Sequence, residues 1–300
     1  MKLLLLGANG QVGHELRRSL ASLGDVLAAT RDGRLSDGGS CEVADLDNPP
    51  SLAALVERIA PDVVVNAAAW TAVDLAEAER EASFRANAEA PRVLAEACAG
   101  HGARFVHYST DYVFDGRGTR PWREDDPTSP LGVYGASKLA GEEAIRASGA
   151  DHAILRTAWV YAPRGRNFLL TMLRLGAEHE RLRVVADQVG TPTSAALVAD
   201  ATAQVLAHPA RASGTWHLTA GGQTSWHGFA EAIFAGAVER GLLPRAPAVD
   251  AIPAADYPTP AARPGYSVLD TTRLQERFEI RLPEWQDGLG RVLDRIAAGA

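Results

Sequence analysis

Tyr134 and Lys138 are the pair of residues in this chain whose types and spacing best suit acid–base chemistry. Residues four apart on a helix lie one turn apart on the same face, which would place the ammonium beside the phenol. A nearby positive charge favours the phenolate, so we expect the pKa of Tyr134 to fall below its ordinary value of about 10. Such a tyrosine could donate and accept a proton near neutral pH. The alternative is a half-buried tyrosine beside a solvated lysine, because this spacing also arises by chance.

A glycine-rich turn follows the first apolar run of the chain and predicts a dinucleotide site. Residues 3–6 are four consecutive leucines, which is typical of a strand buried in a parallel sheet. Gly7, Gly10 and Gly13 come directly after them, and apolar residues then recur at helical spacing. In such a unit the backbone can approach a pyrophosphate, and the helix N-terminus offers unpaired N–H groups. The spacing is G-x-x-G-x-x-G rather than G-x-G-x-x-G, and an ordinary turn is the alternative.

The residues after the second predicted strand favour NADPH over NADH. The strand at residues 26–29 ends at Thr30 and Arg31, about 20 residues beyond the glycine turn. An acidic residue there would bind the ribose 2′-hydroxyl of NAD, whereas a guanidinium suits the 2′-phosphate of NADPH. NADH stays possible, because Arg31 could equally be a solvated arginine at a strand end.

Strands and helices alternate through the first half of the chain. Further strands are expected at residues 42–44, 62–69 and 104–108, with helices at residues 52–59 and 76–99. This order predicts an α/β fold, a doubly wound parallel sheet of the Rossmann type, with ligands at the carboxyl ends of its strands. The residues that fall at such ends are Gly7, Thr30, Ala67 and Thr110.

The second half of the chain predicts a smaller C-terminal substrate-binding lobe. We expect residues 1–160 to form mainly the NADP-binding domain and residues 161–300 mainly a discontinuous lobe, with segments around 181–220 returning to the first domain. Residues 244–264 carry six prolines and predict an extended loop over the surface or the cleft. Ser194 is a candidate N-cap for the helix that follows it.

Composition and charge exclude several other functions. The 300 residues carry a net charge of -7, which argues against a general nucleic-acid binder. Cys41 and Cys98 are too few for a disulfide framework, and no cysteine or histidine pattern in the sequence has metal-site spacing. The first apolar run is too short for a secretory signal or a membrane span, so we expect a cytoplasmic protein.

Longer strings resemble the extended short-chain dehydrogenases/reductases and, within them, the dTDP-4-dehydrorhamnose reductase family. The broader resemblance rests on the glycine turn, residues 66–69, Ser109 with Thr110, and the Tyr134/Lys138 pair. The narrower resemblance runs through essentially the whole chain and rests on residues 70–74, 107–116, 156–161, 224–227 and 263–265. It implies reduction of the 4-keto group of dTDP-4-dehydro-L-rhamnose to dTDP-L-rhamnose, a precursor of bacterial surface polysaccharide such as lipopolysaccharide O-antigen.

The resemblance also implies residue roles. Thr110, Tyr134 and Lys138 fall on the family's catalytic set. The implied cofactor contacts are Gly7, Asn9, Gly10, Gln11, Val12, Thr30, Arg31, Asp45, Leu46, Ala67, Ala68, Ala69, Tyr134 and Lys138. The implied substrate contacts are Thr110, Asp111, Trp159 and Arg263. A buried core tryptophan at 159 and a solvated arginine at 263 are the alternatives.

The chain departs from the family pattern in three places. Thr30 stands where members able to use NADH have an acid, which supports NADPH. Some members dimerise around Mg²⁺ held by three acids, of which only Glu15 is present, since Ala196 and Gln286 occupy the other two positions. We therefore expect no metal, and a monomer or weak homodimer. Tyr266 replaces an asparagine that usually follows Arg-Pro-Gly.

Two other functions stay open at this point. The first is another enzyme on a nucleotide sugar, either a different ketoreductase or a 4-epimerase, because epimerases share the Tyr/Lys pair. Dehydration is not expected, since Tyr112 stands where the related dehydratases have a glutamate for elimination. The second is a non-catalytic NADP-binding regulatory subunit, which would have no chemical need for the set Thr110, Tyr134 and Lys138.

Overall fold

A large parallel sheet forms the centre of the protein in the computed structural model, which describes residues 1–299. The strands are β1 (Lys2–Leu6), β2 (Asp25–Thr30), β3 (Glu42–Val43), β4 (Val63–Asn66), β5 (Arg104–Thr110), β6 (His152–Thr157), β7 (Val160–Tyr161), β8 (Arg181–Val185), β9 (Val189–Gly190), β10 (Thr193–Ser194), β11 (Gly214–His217), β12 (Thr224–Ser225) and β13 (Ala248–Ile252). Seven of them form one sheet in the order β11-β6-β5-β4-β1-β2-β3, and every pair in it is parallel. The predicted fold class is confirmed.

Helices cover both faces of this sheet. They are α1 (Gln11–Ser19), α2 (Pro49–Ile59), α3 (Val73–Ala78), α4 (Arg80–Phe84), α5 (Ala90–His101), α6 (Val133–Ala147), α7 (Phe168–Glu178), α8 (Ala195–Ala207), α9 (Trp226–Glu239), α10 (Thr272–Phe278) and α11 (Trp285–Ala297). Short 3₁₀ turns occupy Asp111–Val113 and Ala254–Asp256. No helix among residues 1–299 has the length and apolar character needed to cross a membrane.

Alternate residues of β1 point their side chains to opposite faces of the sheet. Leu3 and Leu5 pack into the cluster that includes α1 and α8, whereas Leu4 and Leu6 pack into the cluster that includes α2 and α5. Each of these four side chains is fully buried. Side chains on a strand alternate between faces, so a strand covered on both sides must be apolar throughout. The leucine run is thus explained by its central position.

A third core, separate from the two beside the large sheet, lies in the second half of the chain. It is built by α7, α9 and α11 around Phe229, Phe234 and Leu293. The segment 244–264 was predicted as an extended loop, and this is wrong for its first part, because Ala248–Ile252 forms β13 and pairs in parallel with β8. Local proline content cannot reveal a partner strand more than 60 residues away. The segment 181–220 was predicted to return to the first domain. Its helix α8 and strand β11 do pack with the large sheet, whereas β8 does not join it. The assignment of functions to the two domains stays a prediction.

Residues 76–99 were predicted as one long helix; they are helical except for Glu79, but they do not form one regular α-helix. The chain instead forms α3, α4, a π-helical turn at Arg85–Glu89, and α5. Pro91 has no N–H to donate to the carbonyl of Asn87, four residues earlier, so the ordinary hydrogen-bond ladder is interrupted there. The π-helical turn accommodates this missing hydrogen bond, and such turns are often found at functional sites.

Candidate active site

Helix α6 carries Tyr134 and Lys138, as predicted, and two glycines fix its position. A Cβ atom on Gly135 would lie 2.2 Å from the carbonyl oxygen of Tyr112, and one on Gly141 would lie 2.1 Å from the carbonyl oxygen of Asn87. The helix therefore approaches two backbone segments more closely than any side chain would allow. The Asn87 carbonyl that it approaches is the one to which Pro91 cannot donate, so the π-turn and α6 meet at the same residue.

Ser137 anchors α6 from within the protein. Its hydroxyl donates to the carbonyl oxygen of Tyr134 at 2.8 Å and receives hydrogen bonds from Ser83 and Asn87, each at 3.0 Å. Asn87 in turn bonds both the N–H and the carbonyl of Trp70. Sequence reasoning missed this network, because Ser137 lies 50 or more residues along the chain from its donors Ser83 and Asn87.

Thr110 and Asp111 face Tyr134 from the carboxyl end of β5. The Thr110 hydroxyl donates to Asp111 Oδ1 at 3.0 Å, and it accepts the N–H of Tyr112 at 3.2 Å. The rings of Tyr112 and Tyr134 meet edge to face, with centroids 5.7 Å apart. The structure therefore brings together Thr110, Asp111 and Tyr134, three of the six residues that the resemblance implied for catalysis or substrate binding; the others are Lys138, Trp159 and Arg263.

The predicted lowering of the Tyr134 pKa by Lys138 is wrong for this structure. Burial raises the pKa of Tyr134 to about 12, and hydrogen bonding with Thr110 only partly opposes this effect. Burial also lowers the pKa of Lys138 to about 8. The lysine has therefore lost its charge before the phenol begins to titrate, so Tyr134 is a protonated phenol throughout the neutral range.

Lys138 lies over the strand β5 rather than in solvent. Its Nζ donates to the carbonyl oxygen of Tyr108 at 2.6 Å and lies 3.2 Å from His107 Nε2. Glu142, one turn further along α6, raises the pKa of Lys138 against the larger effect of burial. The alternative of a solvated lysine at this position is thus excluded, since the side chain is 2 % exposed.

Asp111 carries a carboxyl group that is buried, and this burial favours its protonated form. Its pKa is raised to about 6, although hydrogen bonds with Ser267 and Thr110 oppose the effect of burial. Asp111 Oδ2 is buried and has no hydrogen-bond partner in the protein. An unpaired carboxyl oxygen beside Thr110 and Tyr134 is suited to bind a hydroxyl group of a ligand.

We expect Asp111→Asn to change how stability depends on pH. Because the folded-state pKa is raised from 3.8 to about 6, the folded protein binds more protons than the unfolded chain between these values. Asp111 thus contributes its full stability below about pH 4, and this stability is lost as pH rises through about 6, by ~3 kcal/mol in total. The Asn variant has no carboxyl group at this position, so its stability does not fall with pH in this way. Urea unfolding from pH 4 to pH 8 should therefore show that the free energy of unfolding of the variant rises relative to that of the wild type as pH rises. A difference in free energy of unfolding that stays constant across that range would contradict the prediction.

The glycine turn forms the cradle that a pyrophosphate needs. Gly7 has φ +76°, and a Cβ on it would lie 2.6 Å from the N atom of Ala68, so the turn lies directly against the end of β4. Gly10 is the N-cap of α1 and supplies no side-chain cap, which leaves the first N–H groups of the helix free for a ligand. A Cβ on Gly13 would lie 2.0 Å from the carbonyl oxygen of Gly7. These residues fit NADP, and the carboxyl ends of β1 and β4 meet where the sequence predicted its contacts.

We expect Gly13→Ala to weaken NADPH binding at least about tenfold, because the added methyl group must displace either the turn or the helix. Gly100→Ala is the matched control, since a Cβ on this helical residue of α5 would meet no atom within 4 Å. Fluorescence titration with NADPH would compare the two. Equal affinities in the two variants would contradict the proposed position of the pyrophosphate.

Two predicted cofactor residues of the turn bind neighbouring loops with their side chains. Asn9 donates to the carbonyl of Arg34 at 2.9 Å and accepts the N–H of Ser36 at 2.9 Å. Gln11 accepts a hydrogen bond from Asn167 at 2.8 Å. Both polar ends of the Asn9 side chain are therefore engaged within the protein, whereas only the oxygen of the Gln11 side chain is. Val12 packs its side chain on the core.

The predicted adenosine end of the site lies at the ends of β2 and β3. Thr30 is buried, and its hydroxyl accepts the N–H of Arg34 at 3.0 Å and donates within the same turn. Arg31 is 80 % exposed, with its Nε 3.8 Å from Asp45 Oδ1. Leu46 packs in the core beside α2. Arg31 is therefore free to meet a 2′-phosphate, whereas the Thr30 hydroxyl shapes the turn that presents it.

Arg31→Ala tests the choice of cofactor. We expect a rise of about tenfold in KM for NADPH and no rise for NADH, because only NADPH carries the 2′-phosphate that the guanidinium can bind. Steady-state kinetics with each cofactor would measure both values. An equal effect on the two cofactors would show that Arg31 does not bind the phosphate.

Trp159 and Arg263 are both held by contacts with other residues of the protein. Trp159 has φ +47°, an uncommon conformation for a side chain of its size, and its ring stacks on Trp226 with centroids 3.4 Å apart. Gly190 lies against the same ring, since a Cβ there would be 2.5 Å from it. Arg263 makes a two-pronged ion pair with Asp74, at 3.0 and 2.8 Å. Arg263 does not match its alternative, because it is paired rather than solvated. Trp159 is half-buried and packs against the third core, so its role in binding substrate stays a prediction.

Glu15 does not offer the carboxylate that a Mg²⁺ ion would need. It is 3 % exposed, and Arg295 from α11 donates to its Oε1 at 2.9 Å. Ala196 and Gln286 add no charge, and no group of three or more His, Cys, Asp or Glu in residues 1–299 is arranged to hold a metal ion. The residues present do not fit the ion, since it would have to displace Arg295.

The parallel sheet, the glycine turn and the Thr110/Tyr134/Lys138 set define the class of NAD(P)-dependent short-chain reductases. Comparison with known proteins narrows this class. The chain belongs to the family described as RmlD substrate binding domain, which it matches over residues 1–298.

The relatives include enzymes and solved structures that match nearly the whole chain. The chain is 51 % identical to the dTDP-4-dehydrorhamnose reductase of Burkholderia thailandensis over 299 residues, covering 97 % of each protein. It is 46 % identical to the enzyme of that name from Salmonella typhimurium, over 99 % of this chain and 98 % of the relative. The crystal structure of dTDP-4-dehydrorhamnose reductase from Bacillus anthracis in complex with NADP is similar with a TM-score of 0.89, at 33 % identity and covering 98 % of this chain and 100 % of that one.

Proposed function

We propose that this protein reduces the 4-keto group of dTDP-4-dehydro-L-rhamnose to dTDP-L-rhamnose with NADPH. The observation that carries the proposal is the meeting of Thr110, Asp111 and Tyr134 at the end of β5, in a chain 51 % identical to a reductase of that name. The glycine turn lies on the same edge of the sheet, so a dinucleotide bound there would reach this group. The product serves the synthesis of bacterial surface polysaccharide.

Each residue of the set has a role that its surroundings support. NADPH, when bound, supplies the hydride. Tyr134 donates its phenolic proton to the oxygen of the ketone, and a pKa of about 12 keeps that proton available at neutral pH. Thr110, whose single hydroxyl proton is given to Asp111 Oδ1 in this structure, would turn to donate it to the same oxygen and so orient the ketone. Lys138 holds the hydroxyls of the nicotinamide ribose, while Asp111, Trp159 and Arg263 line the sugar-nucleotide side.

The proposal extends to location and assembly. A nucleotide-sugar substrate and NADPH are both found in the cytoplasm, so we place the enzyme there, with no nucleic-acid or membrane partner. We propose a monomer or weak homodimer, because Arg295 rather than a metal neutralises Glu15. Size-exclusion chromatography with light scattering, with and without EDTA, would measure this; a dimer that dissociates in EDTA would contradict it.

One assay separates this function from its rivals. Purified protein, NADPH and freshly generated dTDP-4-dehydro-L-rhamnose should give one dTDP-L-rhamnose for each NADPH oxidised. Interconversion at C4 without net consumption of NADPH would indicate an epimerase, and turnover only with another ketose would indicate a different ketoreductase. Tight NADPH binding without turnover of any of these sugars would indicate a regulatory subunit.

A further inference from the structure

The short helix α3 holds the segment 261–263 through a single carboxylate. Asp74 accepts hydrogen bonds from Arg263 Nη1 at 3.0 Å and from Nη2 at 2.8 Å, one on each of its oxygens. The N–H of Ala261 donates to Asp74 Oδ1 at 3.2 Å. The hydrogen bonds from Arg263 hold the pKa of Asp74 below its ordinary value, so this side chain is a carboxylate at neutral pH. Asp74 has no role in the reaction proposed above.

The contacts of Arg263 occupy one edge of its guanidinium. Nη1 and Nη2 both face Asp74, and the second hydrogen of Nη1 goes to the carbonyl oxygen of Ala261 at 3.1 Å. The second edge consists of Nε–H and the outer hydrogen of Nη2. In the part of the chain that the structure describes, no residue accepts a hydrogen bond from Nε. Two parallel N–H groups on one edge match two oxygens of a phosphate group.

Arg263 lies beside the tyrosines of the candidate active site. Burial raises the pKa of Tyr112, and the charge of Arg263 opposes this effect, so the guanidinium lies close to that ring. Tyr112 in turn meets Tyr134 edge to face. One small cavity is lined by residues that include Tyr112, Tyr134, Ala261 and Pro264. An anionic group of a substrate can thus reach Arg263 while the ketone of the same molecule lies at Tyr134.

We propose that Asp74 is a positioning residue that holds the guanidinium of Arg263 by one edge and thereby aims the other edge at the diphosphate of a nucleotide-sugar substrate. A guanidinium that is already fixed loses less conformational entropy when a phosphate binds. Glu77, one turn further along α3, accepts the N–H of Val133 at 2.8 Å at the start of α6. One short helix therefore contacts both the phosphate-binding arginine and the helix of the proton donor. The inference deepens the proposed function and rests on it.

The test compares ligands with and without the diphosphate. Calorimetric titration of the NADPH-bound protein would give the Kd of dTDP and of thymidine. Asp74→Asn offers Arg263 one acceptor oxygen instead of two, so we expect dTDP to bind about tenfold more weakly and thymidine to bind as in the wild type. Removal of a negative charge near an anion would by itself strengthen dTDP binding, so the direction of the change separates positioning from charge.

Glu77→Gln is the matched control, because it removes the same charge from the same helix and keeps an acceptor oxygen for Val133. We expect its ratio of the dTDP and thymidine Kd values to equal that of the wild type. In Asp74→Asn, an unchanged ratio or tighter binding of dTDP would overturn the inference alone. A wild type that binds no dTDP would overturn the proposed function together with the inference.

Steady-state kinetics and a second variant add independent readouts. We expect Asp74→Asn to raise the KM for dTDP-4-dehydro-L-rhamnose about tenfold and to keep kcat within a few-fold, because the diphosphate is bound equally before and during the reaction. Arg263→Lys keeps the positive charge and loses the two-edged fork, so it should weaken dTDP binding to a similar extent. If Asp74→Asn does not fold, this lysine variant decides, and dTDP binding as tight as in the wild type would overturn the inference.

Discussion

Tyr134→Phe is expected to lower kcat by ~10²–10⁴-fold, the range that a positioned general acid contributes. The variant keeps the ring, which meets Tyr112 edge to face, and loses only the hydroxyl that hydrogen-bonds with Thr110. Because the proton transfer occurs in the transition state and not on binding, kcat and kcat/KM should fall together. Steady-state kinetics and NADPH titration on the same preparation would measure both.

Tyr112→Phe is the matched control for this prediction. It removes the same atom from the neighbouring ring, with the ring centroids 5.7 Å apart, and we expect its kcat to stay within a few-fold of wild type. Activity of Tyr134→Phe within a few-fold of wild type would exclude Tyr134 as the acid. A loss of equal size in both variants would point to the shape of the pocket and not to proton donation.

The sequence was sufficient for the features that depend on local periodicity. The leucine run, the glycine turn and the valine run of β4 each identify a strand end by neighbouring residues alone, and the seven-stranded sheet places those ends together. Tyr134 and Lys138 lie on one helix, as their spacing indicates. Ser194 caps α8 by accepting the N–H of Leu197 at 3.3 Å, as predicted.

The sequence was insufficient where residues distant along the chain determine the chemistry. The pKa of Tyr134 was predicted from the charge of Lys138 alone, yet burial by other segments decides it. His107 was read only as part of a strand, because its contacts with Asn66 and Lys138 join residues 41 and 31 positions apart. A histidine that contacts two distant buried side chains gives no local sequence signal. The same holds for Trp226, which stacks on Trp159 although the two residues are far apart along the chain.

Glu142 connects the catalytic helix to the sheet, and its loss is the second large effect that we expect. Glu142 is fully buried on α6, and it accepts from Arg156 Nε at 2.8 Å and Nη2 at 2.6 Å. Arg156 itself is 3 % exposed and comes from β6. Hydrogen bonds and the charge of Arg156 hold the pKa of Glu142 below its ordinary value, although burial alone would raise it.

Glu142→Gln should lower the free energy of unfolding by about 3–5 kcal/mol, because it leaves the Arg156 guanidinium buried without a counter-charge. Arg146→Ala is the control, since Arg146 bonds the same carboxylate at 3.2 Å from a half-exposed position and should cost less than about 1 kcal/mol. The double variant Glu142→Leu with Arg156→Met removes both charges and should recover much of the loss. Urea unfolding would measure all three. A cost for Glu142→Gln no larger than that of Arg146→Ala would mean that Arg156 finds water or another partner, and that α6 is held by its glycine contacts and Ser137 without help from this ion pair.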